Sequence, residues 1–269
     1  MKKLIINGDD FGFSEAYNYG MIKAFECGVM TSASIMPNMD AAVHAAALAK
    51  MRPRLCISLH TNIVQGSCCA DPAEIPSIVR PDGTFYRSGE YKADGWAKKT
   101  GGTRTVDKND FKTELLAQIE RFKTLMGYYP VHIEGHSIGT EPIMQALLEV
   151  VREKGMHTMT FDENIRQEGF AHVGYHFKEL ATAGNMMGDY YKEGFTVETF
   201  LQMLEFLHKT GSDICAVHTH PGYVDAEIMD SSTLVLPRCR DLQTLCDPRV
   251  AKWIADNGIE LIRYDEIRQ

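Results

Sequence analysis

The strongest constraint on the fold is an alternation: short apolar, β-branched runs are followed repeatedly by stretches with apolar residues at helical spacing. Leu4 to Ile6 is such a run, and Glu15 to Cys27 after it places Tyr17, Ile22, Ala24 and Phe25 on one helical face before Gly28 stops it. Thr31 to Met36 is the next β-prone stretch, Asp40 to Lys50 the next helix, ended by Pro53, and Leu55 to Asn62 the third strand. Farther on, helices are predicted over Asp107–Met126, Pro142–Lys154, Thr196–Thr210 and Pro248–Asn257. Strands are predicted over Val131–His136, Asp213–Thr219 and Ile259–Arg263, with weaker candidates at Met156–Phe161 and Ala171–Tyr175. Phe177 to Gly194 has no assignable pattern. Strand followed by helix implies a parallel sheet with helical cover. With 269 residues, no internal repeat and no linker, the expectation is one α/β domain over residues 1–269. We expect a distorted (β/α) barrel of about seven parallel strands, with its active site at the strand C-terminal ends.

Residues 65–107 break the alternation. They are rich in Gly, Ser, Pro and Lys and carry a turn at Pro81-Asp82-Gly83. The stretch reads as an insertion or lid-like loop with few buried contacts, whose aromatics Tyr86, Tyr91 and Trp96 could stack on a sugar ring or pack the loop onto the body.

Composition narrows the partners. A formal charge of −8, with Lys and Arg scattered in ones and twos, excludes a nucleic-acid partner and an anionic membrane surface, and leaves small-molecule chemistry. The first apolar run breaks at Asn7, too early for a signal-peptide core, and no stretch is long enough to span a bilayer. Seven cysteines without CxxC spacing read as reduced thiols of a cytoplasmic protein, and a homodimer is the expected assembly.

Polar residues recur where the predicted strands end. Asp9 and Asp10 lie on a turn between Gly8 and Gly12, ahead of Ser14 as helix cap; on a regular strand their side chains diverge. In the third strand Cys56, Ser58 and His60 share a face, with His60 last. Pro130 and the alternation of Val131 and Ile133 make His132, Glu134 and His136 one face of a strand rather than of a helix, and His218 and His220 share a face farther on. One carboxylate and two imidazoles with open positions suit zinc or another divalent ion. A further Asp could take a proton from metal-bound water and a histidine across the site could protonate a leaving group. The same donors could hold iron for oxygen chemistry, a use that leaves the adjacent Asp and His220 unexplained.

Several motifs stand in order: Asp9-Asp10-Phe11-Gly12, Val29-Met30-Thr31-Ser32 with Asn38, Leu59-His60, His132-Ile133-Glu134-Gly135-His136, His220-Pro221-Gly222-Tyr223-Val224-Asp225, and Pro237-Arg238 with Asp241, Leu242 and Leu245. In these the chain resembles the YdjC family of carbohydrate deacetylases, relatives of the NodB-type polysaccharide deacetylases, over almost its whole length. The resemblance implies that Asp10, His60 and His136 hold the metal, that Asp9 is the general base and that His220 is the acid. It also implies removal of an N-acetyl group from an N-acetylglucosamine oligosaccharide, with or without a phosphate, assisted by zinc or magnesium. The family often has Asp where Glu134 stands and further histidines where this chain has Ser137-Ile138-Gly139. His132 is expected to support the ligands or the fold, Asp225 to orient His220 or cap a turn, and Tyr86, Trp96 and Arg238 to contact substrate. Two other readings compete: a metal-dependent hydrolase cleaving a phosphorylated disaccharide, and a sugar-binding or regulatory protein without turnover.

Overall fold

A strand whose successor is parallel needs a crossover, and a helix packed on the sheet supplies it. The computed structural model describes residues 1–92, 101–158, 186–209, 211 and 213–267. In it β1 (Lys3–Phe11), α1 (Glu15–Cys27), β2 (Ser32–Ile35), α2 (Ala42–Lys50) and β3 (Cys56–Thr61) follow the predicted alternation. After the irregular segment come α3 (Lys108–Met126), β4 (His132–Gly135), α4 (Glu141–Lys154) and β5 (His157–Thr158). Then follow α5 (Met186–Glu193), α6 (Val197–Lys209), β6 (Ile214–Thr219), α7 (Ala226–Ser231), α8 (Leu236–Leu245), α9 (Pro248–Asp256) and β7 (Glu260–Leu261). Among the described residues these seven strands pair in parallel, in the order β5-β4-β3-β2-β1-β6 with β7 also on β1. The result is a distorted (β/α) barrel, a curled sheet of seven strands under helices. Among the described residues no helix is long and apolar enough to cross a membrane.

Local chemistry sets the element ends. The Ser14 hydroxyl accepts from Tyr17 N and caps α1, and the Asp107 carboxylate accepts from Asn109 N and Asp110 N and caps α3. Helices α5, α7 and α8 lie where the sequence suggested none. In α8 the buried face includes Arg238, Asp241 and Thr244, so an apolar period is not visible there. Residues 159–161 and the strand candidate at 171–175 lie outside the described residues.

Strand alternation divides the core in two. Leu4, Ile6, Ile57, Leu59, Ile133 and Val217 face outward into the main apolar cluster under the helices. Ile5, Cys56 and Ala216 face inward and form a small floor with Ile262, Tyr264 and Ile267. The inward residues nearer the strand C-terminal ends are polar: Asn7, Ser58, His60 and Glu134 are all buried.

Residues 65–107 are a correction to the loop reading. Ile75, Ile78, Val79, Phe85, Tyr91 and Val106 are buried in the main cluster, and the buried Glu114 carboxylate accepts from the backbone N–H groups of Cys69 and Ala70. The apolar residues of this segment follow no period because they pack through turns and isolated bridges, such as Val79 with Phe85, rather than through one face of an element. Phe85→Ala should therefore cost about 3–5 kcal/mol, the usual cost of emptying a buried phenylalanine site. Equilibrium denaturation of the full chain checks this, and a loss near zero would restore the loose-loop reading.

Candidate active site

Between the pairings Gly8↔Ala33 and Phe11↔Ile35 one residue intervenes on β2, Ser34, and two on β1, so β1 carries one extra residue at Asp9-Asp10. Asp10 absorbs it in the left-handed region, at φ 67°, a conformation Asp tolerates better than most residues. The divergence expected of adjacent strand residues is thereby cancelled: both carboxylates face the barrel interior and both are buried.

Asp10 Oδ1 lies 2.8 Å from His136 Nδ1 and 3.1 Å from His60 Nε2, and the two nitrogens are 3.1 Å apart. His60 is the penultimate residue of β3, while His136 follows β4, its N–H extending the ladder to Thr61 O, and Ser137 turns the chain away at φ 65°. Three lone-pair donors in a triangle of 2.8–3.1 Å edges closely match ligands around a small divalent ion, where tetrahedral geometry separates donor atoms by about 3.3 Å. Asp10 Oδ2 is bound by Arg238 Nη2 at 2.8 Å, which leaves Oδ1 for the triangle. Burial alone would raise the Asp10 pKa; His136 and Arg238 overcome it and hold the carboxyl well below its ordinary range. For His60, burial alone would favour the neutral ring, but hydrogen bonds with Asp10 and Glu134 carry it up to about 10.

A second group of donors, Asp9, His60 and Glu134, lies beside the first. Its carboxylates are already engaged. Asn7 Nδ2 donates to Asp9 Oδ1 at 2.7 Å and to Glu134 Oε1 at 3.0 Å, and His218 Nδ1 lies 3.0 Å from Asp9 Oδ1 and 2.9 Å from Glu134 Oε2. Burial alone would lower the His218 pKa, but Glu134 and Asp9 hold it well above the ordinary value, so a cation already balances the pair.

His220 enters from the end of β6. Its Nδ1 lies 2.6 Å from the Tyr190 hydroxyl, which donates to Asp241 Oδ2 at 2.8 Å, and its backbone N–H donates to the same oxygen. This network makes Nδ1 the protonated nitrogen of the neutral ring and leaves Nε2 as the atom that exchanges a proton. Burial lowers the His220 pKa to about 4 against the pull of Asp10 and Asp9, and burial raises Asp241 to about 6.

The remaining candidates fare differently. Asp225 accepts from Ile228 N and caps α7, so the orienting partner of His220 is Tyr190 with Asp241 and not Asp225. Arg238 is fully buried on Asp10 beneath the rings of Phe13 and Tyr17, which removes it as a substrate contact. Tyr86 is packed against the guanidinium groups of Arg104 and Arg80, with centroid distances of 3.3 and 4.8 Å, so it serves the packing of its segment rather than an open sugar platform. Tyr91 is buried, and Trp96 lies outside the described residues. His132 is stacked on Tyr264, centroids 3.8 Å apart, with Nε2 3.6 Å from Glu134 Oε2. The sequence reading placed His218 on one face with His220 and Asp241 in a motif but gave neither a role, and it gave none to Asn7, Tyr264 or Tyr190. Asn7 stands two residues before Asp9, a strand period that could have brought it into the site.

Comparison with known proteins places this geometry. The family model described as YdjC-like protein matches residues 3–256. A carbohydrate deacetylase of Geobacillus stearothermophilus is 32% identical over 265 residues, covering 97% of this chain and 96% of that protein. A chitooligosaccharide deacetylase of Yersinia pestis (strain Pestoides F) is 30% identical over 262 residues, with 97% of each covered. Among solved structures, a protein of Enterococcus faecalis V583 proposed to cleave cellobiose phosphate superposes with a TM-score of 0.80 at 24% identity, over 100% of this chain and 99% of that one. A CE4 esterase of Streptococcus mutans superposes at 0.51 with 12% identity, over 97% and 84%, and shares the fold.

Because His60 is protonated below about pH 10 in the metal-free site and a metal ligand must be neutral, ion binding should release about one proton near pH 7, with affinity rising as pH rises. Calorimetry in buffers of different ionisation enthalpy measures that proton; binding without release would contradict the assignment of His60.

Proposed function

This chain belongs to the YdjC-like family of carbohydrate-deacetylating enzymes, and from that premise we propose that it hydrolyses the N-acetyl group of an N-acetylglucosamine-containing oligosaccharide, with one divalent ion on Asp10, His60 and His136. The observation that carries the reading is the donor triangle with a second buried carboxylate, Asp9, alongside and His220 held nearby on its own relay. A bound ion would polarise the acetyl carbonyl and acidify water; two imidazoles among the donors favour zinc over magnesium, which prefers oxygen ligands.

The chain's own residues supply the rest. Arg238 neutralises the far oxygen of Asp10 and keeps that ligand oriented. Asp9 takes the proton of the attacking water. His220, neutral at pH 7 with its Nδ1–H donated to Tyr190, takes up at Nε2 the proton that Asp9 removed from the water and passes it to the departing amine, and Tyr190 with Asp241 steadies the imidazolium formed on the way. The partner is thus a small carbohydrate. Seven cysteines without CxxC spacing accord with the reducing cytoplasm we propose as its location.

Asp9→Asn should keep the ion and lower acetate release from N-acetylglucosamine oligosaccharides by about two to four orders of magnitude, the scale of general-base removal. Asp10→Asn should weaken ion retention itself. Metal content and acetate release of the two variants decide this: the opposite pattern would exchange the roles, and a wild-type protein that releases no acetate with zinc or magnesium would end the deacetylase reading.

A further inference from the structure

We infer that His218 is a positioning residue for deacetylation, fixing the Asp9 carboxylate from the floor of the barrel and being fixed in turn by Tyr264. The inference rests on the reading of Asp9 as base. Register places Asn7 of β1 directly beside His218 of β6, so both reach Asp9 from one layer below it. Asp9 Oδ1 receives Asn7 Nδ2 at 2.7 Å, His218 Nδ1 at 3.0 Å and the Ser34 hydroxyl at 3.4 Å. Asp9 Oδ2 has the same imidazole at the longer distance of 3.3 Å. Three contacts therefore pin one oxygen, and Oδ2 is the oxygen left to take the water's proton.

The other side of the His218 ring is equally constrained. Nε2 lies 3.0 Å from the Tyr264 hydroxyl, and the Tyr264 ring is fully buried and stacked on His132 at an interplanar angle of 4°. The turn Tyr264–Glu266 is itself anchored to β1 through Ile262 N–H on Leu4 O. Tyr264 thus braces an imidazole that braces the proposed base. Glu134, 2.9 Å from His218 Nδ1, completes the clamp.

Side-chain geometry supplies the test. Asn in place of His presents its amide nitrogen where Nδ1 stands, and Gln presents it where Nε2 stands. In the metal-loaded full chain, His218→Gln should lower kcat for acetate release by about 10- to 100-fold with KM within about twofold and metal content unchanged, and His218→Asn should restore kcat to within about fivefold of wild type. In an Asp9→Asn background His218→Gln should cost nothing further, because the group it positions is gone. Tyr264→Phe, which removes only a hydroxyl, should lower kcat by about three- to tenfold, again not in the Asp9→Asn background. It decides the matter should His218→Gln fail to fold. Equal losses for Gln and Asn, an undiminished cost in the Asp9→Asn background, or an unchanged kcat for Tyr264→Phe would each overturn the assignment while leaving the deacetylase reading intact. Absence of acetate release by the wild type would remove both.

Discussion

One inserted residue in β1 makes the site possible. A regular strand would send Asp9 and Asp10 to opposite faces, one into the apolar layer under the helices; the bulge, with Asp10 in the left-handed region, turns both inward. A backbone conformation of that kind costs of order 1 kcal/mol and persists where its surroundings hold it. Here Arg238 grips Asp10 Oδ2, and Tyr17 donates its hydroxyl to the carbonyl of Asp9 at 2.8 Å. Gly222 matters for the same reason: a Cβ there would fall 1.9 Å from the Tyr17 ring, so only glycine lets the loop after His220 close over that tyrosine.

The second requirement is charge balance. Burying Asp9, Asp10 and Glu134 in one barrel would be prohibitive if each stood alone. Arg238 answers Asp10, His218 bridges Asp9 and Glu134, and His60 carries a proton between Asp10 and Glu134 until an ion displaces it. The arrangement separates two functions that share one cavity. The donor triangle has one lone pair from each member, whereas the Asp9–Glu134 pair is already compensated by a cation of the protein's own. A single ion on the first set therefore suits the electrostatics better than an ion on the second.

What could be read from the residues follows from period. Alternating strands and helices gave the barrel, and period two along β3 and β4 gave the inward faces carrying His60 and His136. Period failed where the backbone is irregular. Nothing in Gly8-Asp9-Asp10 announces which residue occupies the bulge, and the relay through Tyr190 and Asp241 comes from two helices, one in a stretch without pattern and one whose inward face is polar. Arg238 looked available to substrate because arginine is seldom wholly buried; it is buried here because Asp10 is. Residues 65–107 looked loose because their apolar side chains pack through turns, which leave no spacing to recognise.

Which atoms hold the ion decides the roles of Asp9 and Asp10, and anomalous X-ray scattering from crystals grown with zinc measures that directly. One peak bonded to Asp10 Oδ1, His60 Nε2 and His136 Nδ1 is expected, with Asp9 outside bonding distance. A peak bonded instead to Asp9, Glu134 and His60 Nδ1, or zinc bound with no peak in the barrel, would contradict that assignment.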